Sequence, residues 1–75
     1  MNILITGIDG FVGSHLAAHF LKQGGVTIFG LVRSLPPIIP LDPSIRLIPA
    51  EITDLNAVRK AVAEVEPERI YHLAG

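Results

Sequence analysis

Glycine occurs at every third position from 7 to 13, as Gly7, Gly10 and Gly13. This spacing suggests a turn at which the backbone can bind a ligand. The glycines follow a short apolar run and precede a helical pattern, which together predict a strand, a glycine turn and a helix. Gly7 would permit the tight turn, Gly10 would leave no Cβ between backbone and ligand, and Gly13 would let the helix pack closely on the strand. We therefore expect backbone N–H groups to approach a negatively charged ligand here.

The beginning of the predicted helix supplies the donors for that ligand. The N–H groups of Gly10, Phe11 and Val12 are expected to be free and to bind an anion such as a pyrophosphate. The spacing G-x-x-G-x-x-G differs from the common dinucleotide fingerprint G-x-G-x-x-G. The pattern G-x-x-x-x-G-K-[ST] does not occur in the sequence, which excludes a nucleoside triphosphatase loop of that kind.

Arg33 and Ser34 follow the second predicted strand, where dinucleotide-binding proteins distinguish NAD from NADP. An acidic residue there would bind ribose hydroxyls, whereas an arginine accommodates the 2′-phosphate. No Asp or Glu occurs between Asp9 and Asp42. Arg33 offers a planar fork to a phosphate, and Ser34 adds a hydroxyl. For a dinucleotide ligand, these residues would favour NADP over NAD, with a solvated arginine as the alternative explanation.

Three other side chains that could do chemistry have simpler explanations. His15 and His19 lie one helical turn apart, but Leu16 stands where the zinc motif H-E-x-x-H needs Glu, so we predict a polar helix flank and no metal. Tyr71 is interpreted as a strand residue that packs on a neighbour. His72 is interpreted as a core histidine with a satisfied hydrogen bond.

The elements that must position these residues follow from hydrophobic periodicity. It predicts the strands 2–6, 26–32, 45–48 and 69–74, and the helices 11–23 and from Thr53 or Asp54 to Glu66. Four prolines make residues 33–44 a loop. Strands that alternate with helices predict an α/β protein with a Rossmann-type parallel sheet and flanking helices.

Each predicted helix has one apolar face that is expected to pack on the sheet. For the first helix that face consists of Val12, Leu16, Ala17, Phe20 and Leu21. For the second helix it consists of Leu55, Val58, Val62 and Val65.

Composition excludes several classes of partner. The chain has 75 residues, a net charge of −1 and no long charge run, so we expect no nucleic acid and no membrane surface as partners. Its apolar runs are far shorter than the ~20 residues that span a bilayer. The chain has no cysteine, which excludes disulfides and thiolate metal sites and is typical of a reducing, cytoplasmic location.

Three segments, in order, resemble the extended short-chain dehydrogenase/reductase family, which includes NAD(P)-dependent nucleotide-sugar epimerases, dehydratases and reductases. The stretch T-G-x-x-G-F-x-G at 6–13 is similar to that family's glycine turn. Residues 50–55, A-E-I-T-D-L, resemble its G-D-L-T-D-like segment, and residues 70–75, I-Y-H-L-A-G, resemble its Y-H-L-A-A segment. The resemblance covers the whole chain and implies a Rossmann-type domain whose glycine turn holds the cofactor pyrophosphate.

The resemblance also implies roles for residues after the third and fourth strands. Glu51 would contact the adenine amino group and Ile52 would pack on the ring, although Glu51 replaces the usual Asp. A solvated loop carboxylate is the alternative for Glu51. The segment Leu73, Ala74 and Gly75 would lie beside the cofactor.

The family's catalytic pair, Tyr-x-x-x-Lys, does not occur in the chain. Gly75 stands four residues after Tyr71, and the lysines are Lys22 and Lys60. We therefore expect residues 1–75 to be the N-terminal part of an NAD(P)-binding Rossmann domain, without the catalytic and substrate portions. The intact enzyme would move a hydride between NADP and a carbon of a nucleotide sugar, and a homodimer is expected only for that enzyme. The alternatives are a stand-alone dinucleotide-binding module without catalysis and a non-functional truncated remnant.

Overall fold

The computed structural model describes residues 1–73 and contains the six predicted elements in the predicted order. They are β1 Asn2–Thr6, α1 Phe11–Gln23, β2 Thr27–Val32, β3 Arg46–Pro49, α2 Leu55–Val65 and β4 Arg69–His72. The bounds of β1 and α1 agree with the prediction. Strands β2 and β3 each begin one residue later, and β4 ends at His72, before the predicted end.

The four strands form one parallel sheet in the order β3-β2-β1-β4. Ile5 of β1 is paired with Gly30 of β2 on one side and with Tyr71 of β4 on the other. The chain winds outward from β1 in one direction through β2 and β3, and then returns to place β4 on the opposite side. This is the Rossmann-type α/β arrangement that the sequence predicts. In folds of this kind, ligands bind outside the carboxyl ends of the strands.

Strand β1 is buried on both faces, which explains its continuous apolar sequence. Successive side chains alternate between the faces of the sheet, so Ile3 and Ile5 belong to one core cluster and Leu4 to the other. The first cluster includes Ala17 of α1, and the second includes Ala61 of α2. The two helices therefore cover opposite faces of the sheet.

Helix α1 packs through Gly13 and Ala17, with Leu16, Phe20 and Leu21 partly buried around them. The prediction that Val12 faces the sheet is wrong, since its side chain is 62% exposed. At 3.6 residues per turn, Val12 lies about 120° from the direction shared by Gly13 and Ala17.

Helix α2 begins after Asp54, whose Oδ1 accepts a hydrogen bond from the Ala57 N–H at 3.2 Å. This confirms the predicted N-cap. The prediction that Leu55 packs inward is wrong, since it is 63% exposed. The buried face is centred on Ala61 and Val65, about 100° around the helix from Leu55. No helix in the part of the chain that the structure describes is long and apolar enough to cross a lipid bilayer.

Candidate functional site

The glycine turn leaves β1 through Gly7, which has a positive φ of 68°. Glycine adopts this left-handed conformation without the steric penalty of a Cβ, as the sequence predicts. The turn is closed by a hydrogen bond from the Gly10 N–H to the Gly7 carbonyl oxygen at 3.0 Å. Ile8, between them, is fully buried and packs over Gly30 of β2, where a Cβ would lie 2.8 Å from the Ile8 Cδ1. The buried Ile8 side chain therefore holds the turn against β2.

Gly13 brings the first turn of α1 against the glycine turn. A Cβ at this position would overlap the Gly7 carbonyl oxygen and lie 2.8 Å from the Cα of Ile8. Both neighbours are backbone atoms, which cannot rotate away as a side chain can. The predicted close packing at Gly13 is confirmed, with the turn rather than β1 itself as the surface that it contacts.

The N-terminus of α1 presents amides that no side chain caps. Gly10 is the N-cap, and the first helical hydrogen bond runs from the Ser14 N–H to the Gly10 carbonyl at 2.9 Å. The helix therefore contains no carbonyl acceptor for the N–H groups of Phe11, Val12 and Gly13. The prediction of a free Gly10 N–H is wrong, because that donor closes the turn onto Gly7.

A pocket opens beside this turn at the carboxyl ends of three strands. Its lining consists of Thr6, Gly7, Asp9, Leu31, Arg33, Ala50, Glu51 and Ile52. Four of the predicted cofactor residues, Gly7, Arg33, Glu51 and Ile52, are thus brought together from three separate parts of the sequence. Ser34 is exposed and is not part of this lining.

Arg33 and Glu51 form an ion pair across the ends of β2 and β3. The Arg33 Nε lies 3.2 Å from the Glu51 Oε2, and the two side chains are 82% and 43% exposed. The Ala50 N–H donates to the Val32 carbonyl at 2.8 Å, which extends the ladder of hydrogen bonds to the residues immediately before this pair. Both side chains are thus exposed to solvent and paired with each other at the edge of the pocket.

The segment after β4 lies beside the last residue of β1. The Leu73 N–H donates to the Thr6 carbonyl at 3.2 Å and to the Thr6 Oγ1 at 3.0 Å. Leu73 is 40% exposed. The other two residues predicted in this segment, Ala74 and Gly75, lie outside the described residues.

Asp9 lines the pocket, although the sequence did not identify it as a site residue. Its Oδ2 accepts a hydrogen bond from the Ile38 N–H at 3.0 Å, which connects the glycine turn to the proline-rich loop. An acid between two glycines of an anion-binding pattern is an unexpected residue and could have marked the position. Its partner lies 29 residues away, and no local signal indicates it.

The remaining candidate side chains have structural partners. The Tyr71 ring centroid lies 5.4 Å from that of Phe20, which confirms the predicted packing role. His72 is exposed rather than in the core, because β4 is at the edge of the described sheet, and its Nδ1 lies 2.8 Å from the Thr6 Oγ1. The His15 Nδ1 lies 3.1 Å from the Phe11 carbonyl oxygen. Within residues 1–73, no three His, Asp or Glu side chains are grouped to hold a metal.

The donor set fits a dinucleotide. The α1 amides can receive a pyrophosphate next to a turn where glycines leave the backbone bare. Ile52 offers apolar surface to a flat base, with the buried Leu31 behind it in the lining, and Arg33 offers a guanidinium.

Comparison with known proteins agrees with this geometry. UDP-glucose 4-epimerase of Neisseria gonorrhoeae is 35% identical over 82 residues, which cover 100% of this chain and 24% of that protein. The structure of UDP-glucose 4-epimerase from Thermotoga maritima with UDP-glucose matches with a TM-score of 0.87 at 26% identity, over 100% of this chain and 24% of that chain. WbmG from Bordetella bronchiseptica, in complex with NAD, matches with a TM-score of 0.83 at 29% identity, over 100% of this chain and 25% of that chain.

The chain spans between 20% and 24% of the length of the curated relatives that it matches. Residues 3–75 match the model of the NAD dependent epimerase/dehydratase family. The match covers nearly the whole chain and agrees with both the glycine turn and the parallel sheet. The chain belongs to the NAD dependent epimerase/dehydratase family.

Proposed function

We propose that this chain is the nicotinamide-dinucleotide-binding part of a nucleotide-sugar epimerase, dehydratase or reductase. The observation that carries the proposal is the uncapped N-terminus of α1 at Gly10, beside a pocket at the carboxyl ends of β1, β2 and β3. Helix amides in this position favour an anion such as a pyrophosphate. WbmG, a solved structural neighbour of this chain, is in complex with NAD.

The pocket and the helix N-terminus beside it suggest a role for residues near each part of the cofactor. The N–H groups of Phe11, Val12 and Gly13 would receive the pyrophosphate. Ile52 would pack on the adenine ring, and the carboxylate of Glu51 would accept a hydrogen bond from its amino group. The Leu73 segment would lie beside the cofactor at the carboxyl end of β4.

Arg33 supports a preference for NADP. It is the one cation among the residues that line the pocket, and its side chain is 82% exposed and so accessible to a ligand. A guanidinium can bind a 2′-phosphate with two parallel hydrogen bonds. The neutral 2′-hydroxyl of NAD has no such charge, so loss of Arg33 would affect NADP more than NAD.

For the intact protein we propose hydride transfer between the nicotinamide and a carbon of a nucleotide sugar. When bound, the nicotinamide supplies the hydride acceptor and donor, while residues 1–75 bind and orient the dinucleotide. The catalytic Tyr-x-x-x-Lys and the substrate portion would belong to further chain, and a homodimer would be a property of that protein. A cytoplasmic location is consistent with the absence of cysteine from the chain.

Calorimetric titration of the chain with NADP⁺ and NAD⁺ tests this proposal. The wild-type chain should bind both, and Arg33→Gln should weaken NADP⁺ binding by about tenfold or more, because a charge-assisted contact is lost. Its effect on NAD⁺ should be smaller. Arg59→Gln is a matched control, since Arg59 is exposed on α2 and the variant has the same net charge. Equal weakening of both dinucleotides by Arg33→Gln would contradict the NADP preference, and no binding of either would contradict the proposed function.

A further inference from the structure

The ion pair between Arg33 and Glu51 places a carboxylate where the NADP-selective cation must act. The two residues follow neighbouring strands, and the hydrogen bond from the Ala50 N–H to the Val32 carbonyl keeps those strand ends together. Arg33 therefore cannot present its guanidinium in this position without Glu51 nearby. The contact uses Nε and leaves the other guanidinium N–H groups for a ligand.

The pocket as a whole has more negative than positive charge. Its lining contains one cation, Arg33, and two carboxylates, Asp9 and Glu51. The Oδ2 of Asp9 accepts a hydrogen bond from the Ile38 N–H, whereas Glu51 directly contacts the cation. Glu51 is thus the carboxylate that most directly offsets the attraction of Arg33 for an anion.

The two dinucleotides respond differently to this carboxylate. A 2′-phosphate has a charge of about −1.5 to −2 at neutral pH, and on Arg33 it would lie within several ångströms of the Glu51 carboxylate. The ribose 2′-hydroxyl of NAD is neutral and can donate a hydrogen bond to a carboxylate. Glu51 therefore opposes NADP and is neutral or favourable for NAD.

We propose that Glu51 is a specificity-determining residue that restrains the NADP preference given by Arg33, so that this site accepts both NAD and NADP. The inference rests on the proposed dinucleotide-binding function. It assigns to Glu51 an effect on the 2′ position of the ribose, which a contact with adenine does not produce. An adenine contact alone affects NAD and NADP equally, because the two share the same base.

The test is the ratio of NADP⁺ affinity to NAD⁺ affinity in Glu51→Gln, measured by calorimetry at low and high ionic strength. The ratio should rise by about threefold to tenfold at low salt, as expected for removing one charge several ångströms from a phosphate. The rise should shrink at high salt, because the pair is exposed and screened. Glu64→Gln is the matched control: Glu64 is exposed on α2, and the variant has the same change in net charge.

Each result of these titrations either supports or overturns the proposed role of Glu51. A higher ratio in Glu51→Gln with an unchanged ratio in Glu64→Gln supports the inference. A ratio that stays at the wild-type value, or equal weakening of both dinucleotides, overturns it and leaves the proposed function standing. If the wild-type chain binds neither dinucleotide, the proposed function fails and the inference fails with it.

Discussion

At the scale of single residues, Gly13 shows most directly how the sequence builds the site. An added Cβ would overlap the Gly7 carbonyl oxygen and lie 2.8 Å from the Ile8 Cα. Because these neighbours are backbone, the helix and the turn would have to separate. We expect Gly13→Ala to lower the free energy of unfolding by about 1–3 kcal/mol, as overpacking in a close contact does. Urea denaturation followed by circular dichroism measures it.

Ser14→Ala is the control for that substitution, because Ser14 is the next residue of the same helical turn. Its hydroxyl donates to the Phe11 carbonyl within the helix, at 3.0 Å. We expect its removal to change the free energy of unfolding by less than about 0.5 kcal/mol. A Gly13→Ala chain as stable as Ser14→Ala would contradict the close approach of α1 to the turn.

Residue types predicted part of the site and missed the part that depends on distant contacts. Gly7 and Gly13 were predictable because a left-handed turn and a close backbone approach each require the absence of a Cβ. The hydrogen bond that occupies the Gly10 N–H depends on the type of turn, which glycine spacing alone does not decide. The pairing of Arg33 with Glu51 depends on the register between β2 and β3, and this register is not visible in either segment.

At the scale of elements, α2 has one well-formed end and one strained end. Asp54 caps its N-terminus, as predicted. Glu66 ends the helix with φ 49° and ψ 57°, in the left-handed region, and its N–H donates to the Val62 carbonyl at 2.9 Å. This conformation costs a residue with a Cβ about 1–2 kcal/mol, whereas glycine adopts it without that cost.

We therefore expect Glu66→Gly to stabilise the chain by about 0.5–1 kcal/mol, since relief of this strain exceeds the extra unfolded-state entropy of glycine. Thermal and urea unfolding measure the change. Glu64→Gly is the matched control, because Glu64 is exposed, has the same charge and lies inside the helix. There glycine should destabilise by about 0.5–1 kcal/mol. Effects of the same sign at the two positions would contradict the strained C-cap.

Element order was predictable, and the rotation of each helix was less so. Apolar spacing predicts a helix at each of the two places. The apolar faces of α1 and α2 are broad, so the predicted direction of each buried face was wrong by about the rotation of one residue. Gly13 decides the rotation of α1, since only a residue without a Cβ can face the turn. Val12 and Leu55 are therefore exposed although both are apolar and lie at the edge of a predicted face.

At the scale of the whole molecule, the sheet order β3-β2-β1-β4 places the candidate site where the winding reverses. Alternating strands and helices predicted a parallel sheet, and right-handed crossovers limited the topologies. They did not decide on which side of β1 the fourth strand pairs. That position brings the Leu73 N–H to the Oγ1 of Thr6, a residue that lines the pocket next to the glycine turn.

The most direct test of the dinucleotide site is an amide ¹H–¹⁵N NMR titration of the chain with NADP⁺. If the α1 N-terminus binds the pyrophosphate, the amide signals of Phe11, Val12 and Gly13 should shift together with that of Arg33. The amides of Lys22 and Glu64, outside the pocket lining, should stay in place. Unchanged signals at Phe11, Val12 and Gly13 at saturating NADP⁺, with the chain folded, would contradict the proposal that this glycine turn holds a dinucleotide.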